Sequence, residues 1–132
     1  MPYVLVVDDD DSVRTLVCDV LECEGYEVGT AVDGFAALRS IEATRPDCVV
    51  LDVMMPGLDG HAVLARIRAS DGRTPLPVVM LTAAADDAQA WQAWSGGVDY
   101  FLAKPFDAGE LLRFLDGLFQ GTAGTTGTAL VG

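Results

Sequence analysis

Basic residues are scarce in this chain. Among its 132 residues, Lys and Arg number 8 against 20 Asp and Glu, giving a net charge of −12. Binding to a phosphate backbone needs a basic face that displaces counterions, which argues against nucleic acid as a direct partner. Histidine occurs once, at His61, and lysine once, at Lys104. Long apolar runs are also missing: no stretch approaches the roughly 20 residues that span a bilayer, so no membrane partner is expected. The N-terminal "MPYVLVVDDDD" has no basic start and ends its short apolar run in acid, unlike a secretory leader. The three cysteines, Cys18, Cys23 and Cys48, are odd in number and lack metal-ligand spacing. They read as small core or helix-surface residues in a reducing cytoplasm. No GxGxxG or Walker pattern occurs, so Gly57 and Gly60 read as permissive loop residues and not as a phosphate cradle.

What is present is a chain 51% hydrophobic, long enough to bury one core without disulfides. Five short apolar segments recur: "YVLVV" (3–7), "YEVGTA" (26–31), "CVVL" (48–51), "PVVML" (77–81) and "VDYFLA" (98–103). The first, third and fourth are nearly continuous in aliphatic residues, as strands buried on both faces of a parallel sheet are. Helical periods lie between them. In 12–24, Val13, Leu16, Val17, Val20 and Leu21 repeat on one face, with Asp11 or Ser12 as N-cap. The segments 34–43 (Leu38, Ile41), 60–69 (Val63, Leu64, Ile67), 86–95 and 107–119 (Leu111, Leu115, Leu118, widened by Phe114 and Phe119) follow. Asp59-Gly60 reads as a turn and helix start, and His61 as an exposed first-turn residue. Strand–helix alternation repeated five times predicts an α/β fold, a doubly wound five-stranded parallel sheet flanked by five helices. Residues 1–120 form the expected domain, and the Gly/Thr-rich stretch 121–132 reads as a flexible tail or the start of a linker.

In such a sheet, functional groups gather at the carboxyl ends of the strands. Those ends carry Asp8 and Asp9 after the first strand, Asp52 after the third, Thr82 after the fourth and Lys104 after the fifth. Clustered carboxylates make an oxygen-rich seat for a hard divalent cation, and Mg²⁺ is its usual occupant where phosphate is handled. An Asp beside that seat can attack phosphorus, while the ammonium and the hydroxyl bind phosphoryl oxygens during in-line transfer. The run "VVDDDDS" (6–12) therefore reads as a metal seat at the mouth of the sheet. Asp10 and Asp11 serve the helix start, where negative charge suits the helix dipole.

The blocks "VLVVDDD", "VVLDVMMPGLDG", "VVMLTA" and "DYFLAKPF", in this order, resemble the receiver domain of bacterial two-component response regulators over roughly residues 3–119. The resemblance implies the flavodoxin-like strand order 2-1-3-4-5, one of the common doubly wound orders and that of a chemotaxis receiver. It implies Asp52 as phosphoacceptor, and Asp9, Asp8 and the Met54 backbone carbonyl, with Asp52, as the Mg²⁺ ligands. It implies Lys104 as the contact to the phosphoryl group, followed by a cis bond to Pro105, and Thr82 and Phe101 as switch residues. Phe101 lacks the hydroxyl that many members carry as tyrosine at this position. Met54 and Ala84, two residues after Asp52 and Thr82, flank the path of the attacking water in the family. Neither side chain orients water by a strong hydrogen bond, which implies slow loss of the phosphoryl group.

The partner so implied is a sensor histidine kinase or phosphotransfer protein in the cytoplasm, and the chain is expected to be no enzyme beyond promoting its own phosphorylation and dephosphorylation. The surface of the fourth helix, fifth strand and fifth helix is the implied site for a homodimer or a target protein. On that fourth helix, Trp91 and Trp94 lie near one another; one is expected to pack inward and at least one to be exposed. No helix-turn-helix or catalytic segment follows residue 119, so output is expected from another protein or a further domain. The alternative reading is a Mg²⁺-dependent phosphohydrolase with an Asp nucleophile. Such haloacid-dehalogenase-like enzymes place that nucleophile after the first strand in a DxD pattern and carry a cap insertion, whereas here the candidate follows the third strand.

Overall fold

The computed structural model describes residues 1–72, 74–83 and 86–123. Strands and helices alternate as β1 (Tyr3–Val7), α1 (Asp11–Cys23), β2 (Glu27–Ala31), α2 (Gly34–Ala43), β3 (Cys48–Asp52), α3 (Gly60–Ser70), β4 (Val78–Thr82), α4 (Asp87–Ser95), β5 (Tyr100–Ala103) and α5 (Ala108–Ala123). The five strands are parallel in the order β2-β1-β3-β4-β5. This is the flavodoxin-like architecture expected. Every residue of β3 and β4 is buried, because helices cover both faces of the sheet and leave no polar side for alternation to mark.

Successive strand residues point to opposite faces, and the core splits accordingly. Leu5, Val7, Val49, Leu51, Val78 and Met80 pack with Ala37 of α2, Val63, Leu64 and Ile67 of α3, and Ala93 of α4. On the other face Val4, Val6, Val50, Val79, Leu81 and Leu102 pack with Val17 and Leu21 of α1 and Leu111 and Leu115 of α5.

The acid excess finds a structural use at the helix starts. Asp10 caps α1, accepting from the Ser12 and Val13 amides, and Asp33, Asp59 and Asp86 cap α2, α3 and α4 in the same manner. Each such cap is worth about 1 kcal/mol. The cap of α1 is therefore Asp10, and neither Asp11 nor Ser12 fills that role. Leu16 is also displaced from its expected stripe: it is exposed, while Val13, as expected, and Cys18, which is not in the expected stripe, flank Val17 and Leu21 against the core. At the other end of the chain, α5 continues to Ala123 and takes in residues 121–123 of the stretch read as a tail. The remainder of that stretch, 124–132, lies outside the described residues.

Candidate functional site at the mouth of the sheet

The carboxyl ends of β1, β3, β4 and β5 bring the expected residues together. Asp8 follows β1 and is nearly fully buried. Its amide donates to the Ala31 carbonyl at 3.2 Å, its Oδ1 accepts from the Asp10 amide at 2.9 Å, and its carbonyl accepts from Arg14 Nη1 at 2.8 Å. Asp52, the last residue of β3, is likewise buried. The strand is still paired one step further on, where the Val53 amide donates to the Leu81 carbonyl at 3.1 Å.

Gly60, the first residue of α3, sets how closely that helix approaches. Its amide donates to the Val53 carbonyl at 2.9 Å. A Cβ at this position would collide with the Asp52 carbonyl oxygen and lie 2.7 Å from Val53 Cα. Only glycine lets the helix start rest on the backbone that carries Asp52. The sequence reading as a loop residue missed this role, as it missed the Arg14 contact; the Asp59 cap is the one local signal that placed a helix start there.

Lys104 enters from β5, with its amide donating to the Thr82 carbonyl at 2.7 Å. Its Nζ donates to Asp8 Oδ2 at 2.9 Å and to Asp52 Oδ1 at 3.2 Å. The Lys104–Pro105 bond is cis, as the resemblance implied. Thr82 is fully buried at the end of β4, one residue beyond the Leu81 that pairs with Asp52. Phe101 is half-buried against the core on the α3 and α4 side. Met54 donates its amide to Asp52 Oδ1 at 3.3 Å while its side chain is exposed. Ala84 lies outside the described residues.

Electrostatics mark the site as short of positive charge. Burial pushes the Asp52 carboxyl up to about 6, the neighbouring Asp8 pushes the same way, and Lys104 opposes both. Burial also acts to lower the Lys104 pKa, but its bonds and attractions to Asp8 and Asp52 prevail and raise it. One ammonium thus faces three carboxylates, since oxygens of Asp8, Asp9 and Asp52 lie within 4.8 Å of one another. An all-oxygen donor set with negative charge that Lys104 leaves unneutralised fits a hard divalent cation.

His61 departs from expectation. It is half-buried, not exposed, and its Nε2 donates to Gln89 Oε1 of α4 at 2.8 Å. The tryptophan expectation is met in part: Trp91 is 74% and Trp94 50% exposed, so at least one ring is exposed as expected, but neither is buried in the core where one is expected to pack. Small Ala93 occupies the buried position of α4 instead.

A family model described as the response regulator receiver domain matches residues 4–116. The transcriptional regulatory protein PrrA of Mycobacterium tuberculosis is 42% identical over 128 residues, 97% of this chain and 54% of that protein. The DNA-binding dual master transcriptional regulator RpaA of Synechocystis sp. is 38% identical over 122 residues, 92% of this chain and 51% of that protein. The chain therefore spans about half the length of these curated relatives. Among solved structures, the receiver domain of the Francisella response regulator 1452 matches with a TM-score of 0.85 at 33% identity, covering 92% of this chain and 99% of that one. The chemotaxis response regulator CheY4 of Vibrio cholerae matches with a TM-score of 0.81 at 34% identity, covering 89% and 98%.

Proposed function

Since the chain belongs to the response regulator receiver domain family, we propose that Asp52 is its phosphoacceptor, taking a phosphoryl group from a sensor histidine kinase or phosphotransfer protein in the cytoplasm. The observation that carries this reading is the Lys104 ammonium held between Asp8 and Asp52 at the buried end of the sheet. Asp52 Oδ1 is engaged by Lys104 and the Met54 amide, which leaves Oδ2 to attack the donor phosphorus. The new O–P bond forms as the P–N bond to the donor imidazole breaks, the ring nitrogen taking the electron pair. Lys104 follows the charge onto the phosphoryl oxygens, and the Thr82 hydroxyl supplies a further donor. Asp8, Asp9, Asp52 and the Met54 carbonyl are the groups that would hold Mg²⁺, which when bound neutralises charge on the transferring group.

The chain acts on itself and turns over no separate substrate. The phosphohydrolase alternative is not favoured, because the family match over residues 4–116 is to the receiver domain. The signal leaves through Thr82 and Phe101 to the surface of α4, β5 and α5, where a second copy or a target protein binds. Intact-protein mass spectrometry after incubation with acetyl phosphate and Mg²⁺ tests the assignment. Wild type should gain one phosphoryl group, Asp9→Ala should gain it poorly and Asp52→Asn not at all; undiminished uptake by Asp52→Asn refutes it.

A further inference from the structure

Helix α4 has the least apolar attachment of its neighbours: Ala93 is its only buried residue, and both tryptophans face solvent. Polar bonds to α3 hold it at two places. Beyond its C-terminal end, Arg68 donates from Nε to the Gly97 carbonyl at 2.9 Å and from Nη2 to Asp99 at 3.1 Å. The same guanidinium donates from Nη1 to Asp71 at 2.6 Å and to the Leu76 carbonyl at 2.7 Å. Gly97, at φ 95°, lies against this side chain, where a Cβ would be 3.1 Å from Nε. Near the N-terminal end of α4 the attachment is the His61–Gln89 bond.

The two attachments differ in kind. Arg68 is charged and multiply bonded. His61 offers one neutral bond and bears a cost, because its Nδ1 is buried with no hydrogen-bond partner among the described residues. The Gln89 oxygen only accepts, so Nε2 donates this bond, and Nδ1 is left without a partner among the described residues. The unpartnered Nδ1 offsets part of what the Gln89 bond contributes, so the His61 tether is the weaker of the two attachments. His61 also adjoins Gly60, whose backbone rests on that of Asp52 and Val53.

We propose that the His61–Gln89 bond is a latch that holds the N-terminal half of α4 against α3 and opens when Asp52 is phosphorylated. The helix then swings about the Arg68–Gly97 anchor and re-aims Trp91 and Trp94. The opening step rests on the phosphoacceptor reading above; the latch itself does not.

Hydrogen–deuterium exchange on the whole chain tests both. Without activator, His61→Ala and Gln89→Ala should each speed exchange at residues 90–93 about fivefold, the factor one net hydrogen bond is worth. Residues 96–98 should keep their protection. His61→Gln sets an amide nitrogen near the place of Nε2 and removes the unpartnered Nδ1, so it should slow exchange at 90–93 below wild type. A merely structural side chain would not give opposite shifts for the two substitutions. With Mg²⁺ and beryllofluoride, wild type should approach the His61→Ala level and His61→Gln should respond less. Equal exchange at 90–93 in all four unactivated proteins overturns the latch. Unchanged exchange in wild type with beryllofluoride bound overturns the opening, and failure of beryllofluoride to bind at all overturns the phosphoacceptor reading together with the opening.

Discussion

Two flanks of this molecule are built in opposite ways. On the α1 and α5 flank, polar and apolar groups are satisfied together. Leu111 and Leu115 are fully buried, with Phe114, Leu118 and Phe119 packed beside them. Tyr100 stacks on Phe114 at 4.8 Å and donates its hydroxyl to Glu110, while Tyr26 donates to Asp116. The mouth of the sheet and α4 show the reverse. Asp52 is buried with its carboxyl held above the ordinary range, His61 Nδ1 is buried without a partner among the described residues, and two tryptophans lie on the surface. The first flank supplies stability. The second holds costs that a phosphoryl group, a cation or a protein partner can relieve, and this is where a signalling domain has to change.

The largest test of that contrast sets one large apolar residue against another. Leu115→Ala should destabilise the protein by about 2–5 kcal/mol, whereas Trp91→Ala should stay within about 0.5 kcal/mol. Urea unfolding compares them directly, and equal losses would erase the distinction between the flanks. A smaller effect sharpens it. The raised Asp52 carboxyl gives stability that is complete below the ordinary 3.8 and is lost as pH rises through about 6. At pH 7 without metal, Asp52→Asn should therefore be more stable than wild type. The gain is about 1–2 kcal/mol after discounting for solvent at the open mouth. Added Mg²⁺ should stabilise wild type and leave the variant nearly unchanged, and a destabilised Asp52→Asn would contradict the placement of the cost. Smallest is a kinetic contrast in the decay of the phosphoryl group. Met54→Asn with Ala84→Glu should shorten the phosphoryl lifetime several-fold in a decay assay, because both new side chains can orient water; an unchanged decay would remove those positions from control.

Most of the fold was legible because buried parallel strands and amphipathic helices leave plain periods in sequence. All five strands fall within two residues of the segments named from apolar runs, β1 without any shift. The site was legible for a related reason, since strand ends fix where Asp8, Asp9, Asp52, Thr82 and Lys104 must meet. What was not legible depends on choices the pattern leaves degenerate. Asp11 and Ser12 are the caps read from sequence, but capping residues stand side by side there and backbone geometry selects Asp10. Leu16 fits the helical stripe as well as Cys18 does, yet Cys18 packs against the core and Leu16 does not. The end of α5 was obscured by Gly117 and Gly121, which lower helix propensity without stopping this helix. The burial of His61 and the role of Gly60 arise from α3 meeting α4 and β3, contacts that no local window contains.

Because the chain's two tryptophans, Trp91 and Trp94, both lie on α4, their emission isolates that helix from α5. Titration with beryllofluoride and Mg²⁺, followed by tryptophan fluorescence and sedimentation, asks whether chemistry at Asp52 reaches α4. Wild type should show altered emission and altered self-association, both absent in Asp52→Asn. Unchanged emission and unchanged sedimentation in wild type, with beryllofluoride demonstrably bound, would contradict the link between the mouth and the tryptophan face.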